Sequence, residues 1–327
     1  MNGRNLSRRS ARRRARTRTA LFLCLFGAVG MALLAVLASL IGAAWRPWLS
    51  MAGALVFYAL PAYLGLYELD GDQTHLLMKN KLSSAQTMWF ALCGVLLAGP
   101  SLLLSGVMEA LVKNFGAAPA QAAGSADASL LMPLLLGSAV IAPACEEVFF
   151  RGYLLGVFAR VGRGRAAVLT ALLFALAHGA GLEMLSLFGM GLLFAAAAYR
   201  AQSLIAPMIM HMAYNAAIVL LAVCGAGPLF SIGNPFSALL LLAVCAGFVC
   251  AILRAWRAQG VFEQVQLPHG KMNWRALWPL LLAVLLAIAA QLTPGALQAM
   301  ADWQAQREAQ AALAGLQAAL GVMEVLV

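Results

Sequence analysis

Charge is what this chain has least of. Only 22 Lys and Arg and 12 Asp and Glu are spread over 327 residues, 10% of the sequence, while 63% is hydrophobic. A soluble domain carries about 25% charged and about 45–50% apolar residues. So few charges could not cover a water-facing surface. This excludes a soluble enzyme, a disordered protein and a coiled coil, and it implies a polytopic membrane protein. Cysteine patterning is missing as well. Cys24, Cys93, Cys145, Cys224, Cys245 and Cys250 all fall in apolar stretches, and no C-x-x-C pair occurs. They read as small buried hydrophobes, which argues against disulfides and against a thiolate metal site. There is no internal repeat, and no low-complexity tract beyond an N-terminal run of arginine.

What charge there is sits unevenly. Eight of the 22 basic residues lie between Arg4 and Arg18, and an apolar segment follows from Ala20 to Trp45. That segment is too long for the core of a cleaved signal peptide and long enough to span a bilayer. The arginine arm therefore reads as a cytoplasmic anchor under the positive-inside rule. The net charge of +10 would suit a nucleic-acid partner. None is expected, because no aromatic or recognition motif accompanies the arginines.

Apolar segments of membrane length run over 20–44, 48–67, 88–108, 128–158, 182–199, 203–225, 235–253 and 276–292. A shorter one, 166–178, is ended by Gly179 and Gly181 and reads as a tilted helix or as half of a re-entrant hairpin with 182–199. The expected fold class is all-α, a polytopic membrane helix bundle of eight or nine transmembrane segments. Pro133 and Pro143 should kink the long 128–158 segment. The chain divides into a basic cytoplasmic arm (1–19), N-terminal membrane helices (20–127), a core carrying the polar motifs (128–225), C-terminal membrane helices (226–292) and an amphipathic tail (293–327). Residues 113–128 read as a polar loop. With the N-terminus inside, 18 basic residues fall in inside loops and only Arg46, Lys113 and Arg307 outside. The expected location is thus a bacterial inner membrane with a cytoplasmic N-terminus, and with nine spans the C-terminus lies outside.

Ionisable residues within such segments are costly and point to function. Those present cluster in the middle third of the chain. Glu147 and Arg151 are four apart, so on a helix they share a face and can pair. Glu146 is rotated by about 100 degrees from Glu147 and has no local partner, which leaves it available as a general base. His178 ends the short segment. His211 and Asn215, again four apart, project from one face of an apolar helix. Each alone has an ordinary reading: a hydrogen-bonded bundle histidine, a pair that locks packing, an asparagine joining helices. Together they supply a base, a water-orienting group and two donors, the parts needed to hydrolyse an amide.

The order E-E-x-x-x-R, F-x-x-x-H, H-x-x-x-N resembles the CAAX-protease and bacteriocin-processing (CPBP) family of intramembrane endopeptidases. Here it reads Glu146-Glu147-x-x-x-Arg151, Phe174-x-x-x-His178 and His211-x-x-x-Asn215. Pro143, the Phe150-Arg151-Gly152 triplet and Ser203–Pro207 also look similar, and the resemblance covers about 135–220. It implies that Glu146 activates a water with His178, and that His211 and Asn215 form an oxyanion hole. Glu147 and Arg151 would organise the site. The similarity to type II CAAX prenyl endopeptidases implies a mechanism without metal or other cofactor. Zinc stays open as an alternative, with Glu146, His178 and His211 as ligands. The expected substrate is a membrane-associated protein or peptide; the oligomeric state is not readable. Two competing classes are a catalytically idle scaffold or bacteriocin-immunity protein, and a proton-relaying transporter. A binding role would not need the full polar set. A transporter predicts inverted repeats and more intramembrane charge.

Overall fold

Apolar runs of this length in hydrocarbon must satisfy every backbone N–H and C=O internally, and the helix does so within one segment. The computed structural model describes residues 3–41, 43–66, 80–114, 130–178, 184–224 and position 243, and helices dominate them with no strand among the described residues. The helices are α1 (Gly3–Ile41), α2 (Arg46–Leu66), α3 (Ser84–Asn114), α4 (Leu131–Phe158), α5 (Arg163–His178), α6 (Met184–Ala201) and α7 (Ile205–Val223). Six candidate membrane spans lie among the described residues: Arg16–Ala38 within α1, α2, Ser84–Leu104 within α3, α4, α6 and α7. The short 166–178 segment forms α5, a continuous helix of 16 residues that packs along α6 as a hairpin. The segments expected at 235–253 and 276–292, the tail at 293–327 and nearly all of the 113–128 loop lie outside the described residues. Many large apolar side chains on α1 to α3, among them Leu33, Leu40, Tyr63 and Met88, are exposed, as lipid contact requires.

Small residues let the helices approach closely. A Cβ built on Gly94 of α3 would lie 2.1 Å from the Met210 carbonyl oxygen of α7. One on Gly191 of α6 would lie 2.9 Å from Ala171 Cα of α5. α7 thereby becomes central, packed against α3, α4 and α6. Loops that the charge pattern assigned to one side meet at one end of the bundle. The Asn80 backbone N–H and side-chain amide donate to the Gln202 and Ala201 carbonyls, both at 3.2 Å. The Arg163 guanidinium lies 5.4 Å from the centre of the Tyr199 ring.

α4 is not a uniform helix. Wider π-type turns run over Leu135–Ile141 and Val148–Leu154, with an ordinary helical turn, Ala142–Glu147, between them. The glutamates end that turn. Pro143 lies in its first turn, so the irregularity expected from proline takes the form of a π segment. Such bulges are frequent at functional sites. Among the cysteines, Cys24, Cys93 and Cys145 are buried and free as expected, while Cys224, at the end of α7, is exposed.

Candidate active site

Glu146, Glu147 and Arg151 come from the middle of α4, His178 from the last residue of α5, and His211 from the first half of α7. Glu147 and Arg151 form the i,i+4 pair, with Arg151 Nη1 donating to Glu147 Oε1 at 2.7 Å, and both side chains are fully buried. The guanidinium has further neighbours on α5 and α6. Arg151 Nη2 donates to the Gly191 carbonyl at 3.1 Å. The guanidinium carbon lies 4.5 Å from the Phe174 ring centre and 5.2 Å from that of Phe194. The planar cation is thus desolvated against ring faces, where cation–π attraction is strongest.

The same carboxylate oxygen reaches across to α7. His211 Nδ1 lies 2.9 Å from Glu147 Oε1, so the ring donates its Nδ1 proton to the carboxylate. The opposite nitrogen, Nε2, faces Glu146 Oε2 at 3.9 Å. Phe194 stacks on the His211 ring with centroids 4.6 Å apart and planes inclined by 25°. Ring plane, tautomer and direction of His211 are therefore fixed from three helices.

His178 Nδ1 lies 2.9 Å from the Phe174 carbonyl oxygen. A carbonyl only accepts, so the proton sits on Nδ1. Nε2 then points at Glu146 Oε2, 3.4 Å away. In the neutral ring both of these atoms are acceptors, and a proton or a water must lie between them. Charge counting agrees. Two carboxylates and one guanidinium leave one negative charge in an apolar bundle, which one shared proton cancels. Glu146 thus has two imidazole neighbours, although its own helix offers it no partner.

Asn215 lies one turn beyond His211 on the same face. Its one hydrogen bond among the described residues is donated from Nδ2 to the Ser138 carbonyl at 2.8 Å. The acceptor is a carbonyl, so the amide must present its N–H₂ end towards α4. One N–H is spent on Ser138 and one remains. The site is therefore brought together as Glu146, Glu147, Arg151, His178 and His211, whereas Asn215 is held on Ser138, eight residues before Glu146 on the same helix. Side-chain exposure is 29% at His178 against 9% at Glu146 and 4% at His211, so the site opens at the α5 end.

Sequence reasoning missed Phe194, the Gly191 carbonyl and the Ser138 carbonyl. Phe194 sits in the run Leu192-Leu193-Phe194-Ala195 and looks like any core residue. Backbone carbonyls leave no mark in a sequence, though Pro143 marks one indirectly.

No group of three His, Cys, Asp or Glu side chains among the described residues is arranged to hold a metal ion. The zinc set considered from the sequence, Glu146, His178 and His211, does not form such a group.

A buried carboxylate facing two imidazoles, inside membrane-length helices, is a set of groups able to take a proton from a water and give it back. Residues 128–217 match the family model described as Rce1-like, type II CAAX prenyl endopeptidase Rce1-like. That stretch is 90 of the 327 residues and carries all seven motif side chains. This region is thus similar to the CPBP, CAAX-protease-like intramembrane proteases, a family whose class of activity is peptide hydrolysis. Neither the curated proteins nor the solved structures gave a match.

Proposed function

We propose that the protein cleaves a membrane-associated protein or peptide with a water activated by Glu146. The observation that carries this reading is the buried Glu146 carboxylate, with His178 Nε2 at 3.4 Å and His211 Nε2 at 3.9 Å from one of its oxygens. A water against this edge gives a proton to Glu146 while His178 Nε2 orients it, and its oxygen attacks the scissile carbonyl. The carbonyl oxygen becomes an oxyanion. The free N–H of Asn215 and the Nε2–H of His211 are its donors. The one proton that balances the site's charge resides on His211 Nε2 during attack, leaving Glu146 free to take the water's proton, and the carboxylate of Glu147 stabilises that imidazolium. Glu146 then returns the proton to the leaving amine. Glu147 and Arg151 touch neither water nor substrate. They orient His211.

Hydrolysis by this route needs no metal, and the proposal is that none takes part. The test uses membranes from cells that make wild type or Glu146→Ala. A protein cut in wild-type membranes should stay uncut in the variant, and a zinc chelator should leave the wild-type cleavage unchanged. Loss of cleavage with chelator, restored by zinc, would replace the glutamate route with a metal one. Identical membrane proteins in both strains would favour the idle-scaffold reading. The N-terminus is placed in the cytoplasm on the 18-to-3 charge bias.

A further inference from the structure

The Ser138 carbonyl has an unusual position in its helix. From Leu135 to Ile141 the backbone bonds in the π register, each carbonyl taking the N–H five residues on. The last bond of this run is from Ala142 N–H to the Gly137 carbonyl. The next would run to the Ser138 carbonyl from residue 143. That residue is Pro143, which has no N–H. The ordinary helical donor, Ala142 N–H, is already bonded to Gly137. Ser138 O is therefore an orphan of its own helix, in the half of α4 that packs against α7. A carbonyl so placed needs a partner, and it takes Asn215 Nδ2 at 2.8 Å.

We propose that Pro143 is a positioning residue of the site: its missing N–H leaves the Ser138 carbonyl to hold the Asn215 amide with its donor end towards the Glu146 helix. The hold itself does not depend on the proposed chemistry. Its consequence for rate rests on the reading of Asn215 as an oxyanion donor. In an ordinary packing role, proline at 143 would only bend α4, and any residue that tolerated the bend would serve. In the role proposed here the decisive feature is one hydrogen atom. Restoring it, as in Pro143→Ala, supplies Ser138 O with a donor from its own helix and releases Asn215.

The test uses the full chain in lipid nanodiscs with nitrogen-15 asparagine. The Asn215 side-chain signals are identified as those missing in Asn215→Ala. In Pro143→Ala the bonded Nδ2 proton should move upfield, as an amide proton does when it loses its acceptor. Lactate at position 143, an ester in place of the peptide bond, has neither the ring nor an N–H, and should leave the signal where wild type has it. Lactate at position 139 turns the Ser138 carbonyl into a weaker ester acceptor. It should move the signal upfield with Pro143 untouched. An Asn215 signal unmoved by both Pro143→Ala and the ester at 139 overturns the proposal. So does an ester at 143 that behaves like alanine, since the ring and not the absent hydrogen would then matter. Turnover should fall about 100-fold in Pro143→Ala, as expected for a misplaced catalytic group. It should not fall further in an Asn215→Ala background. An upfield shift with unchanged turnover supports the hold on Asn215 and removes only its catalytic role.

Discussion

Glu146 and Glu147 are neighbours in sequence with opposite surroundings. Glu147 is closed off between Arg151 and His211. Glu146 faces the side where His178 is open. Removing Glu147 strands the Arg151 guanidinium, already without a partner at Nε, in a buried site. Breaking a buried pair in this way costs about 3–5 kcal/mol. Glu147→Ala should therefore express poorly and melt early, whereas Glu146→Ala should fold normally and be inactive. Thermal melts of the two purified variants check this, and equal losses of stability would contradict the division of roles. Asn215→Ala should cut turnover by about 100–1,000-fold, the usual effect of losing one oxyanion donor, with little change in melting temperature. If it melts the protein and the surviving fraction turns over normally, Asn215 is a packing residue. The Glu147–Arg151 pair was legible in the sequence because spacing of four places both on one helix face. The His211–Glu147 contact spans 64 positions, and no local rule reports a contact of that separation. Phe194 was hidden for a related reason: its place under His211 depends on how α6 lies against α7.

At the scale of elements, hydrophobic length located the apolar part of all seven helices among the described residues, including the short α5, though not the extension of α1 back through the arginine arm to Gly3. Backbone requirements in lipid leave so few alternatives that a long apolar run and a helix are nearly the same statement. The π turns of α4 were not legible as such. Proline marked the irregular place, but whether the helix kinks or widens depends on what α2 and α7 press against it. Close helix approaches were equally silent, because a glycine needed for packing looks like any other. Gly94 is the clearest case, since its missing Cβ is where the Met210 carbonyl sits. Here the obstacle is backbone, which cannot swing aside like a side chain. Gly94→Ala should push α3 from α7 and lower stability by about 1–3 kcal/mol, as overpacking does. A melting temperature equal to wild type would mean that the two helices are not in such contact. Gly99, with open space where a Cβ would go, is the control, and Gly99→Ala should be tolerated.

For the whole molecule, composition was enough to read a membrane protein, because 10% charge cannot cover a soluble surface. The side of the membrane was read from charge in the loops. The structure brings the loop at Asn80 and the break at Gln202 together at one end, so both must share a compartment. With the proposed orientation, the arginine arm in the cytoplasm, that compartment is the inside. Lys81→Cys in a cysteine-free background should react with a membrane-impermeant maleimide only after cells are lysed. Reaction in intact cells would reverse the orientation of the bundle. The central claim concerns the fate of one water molecule. Wild type and Glu146→Gln, reconstituted with membranes from the Glu146→Ala strain in oxygen-18 water with a zinc chelator present, give its direct measurement by mass spectrometry of protein termini. Wild type should place one oxygen-18 atom in the new carboxyl terminus of a cleaved membrane protein, and Glu146→Gln should produce no such terminus. Equal labelling by the two proteins would contradict the account.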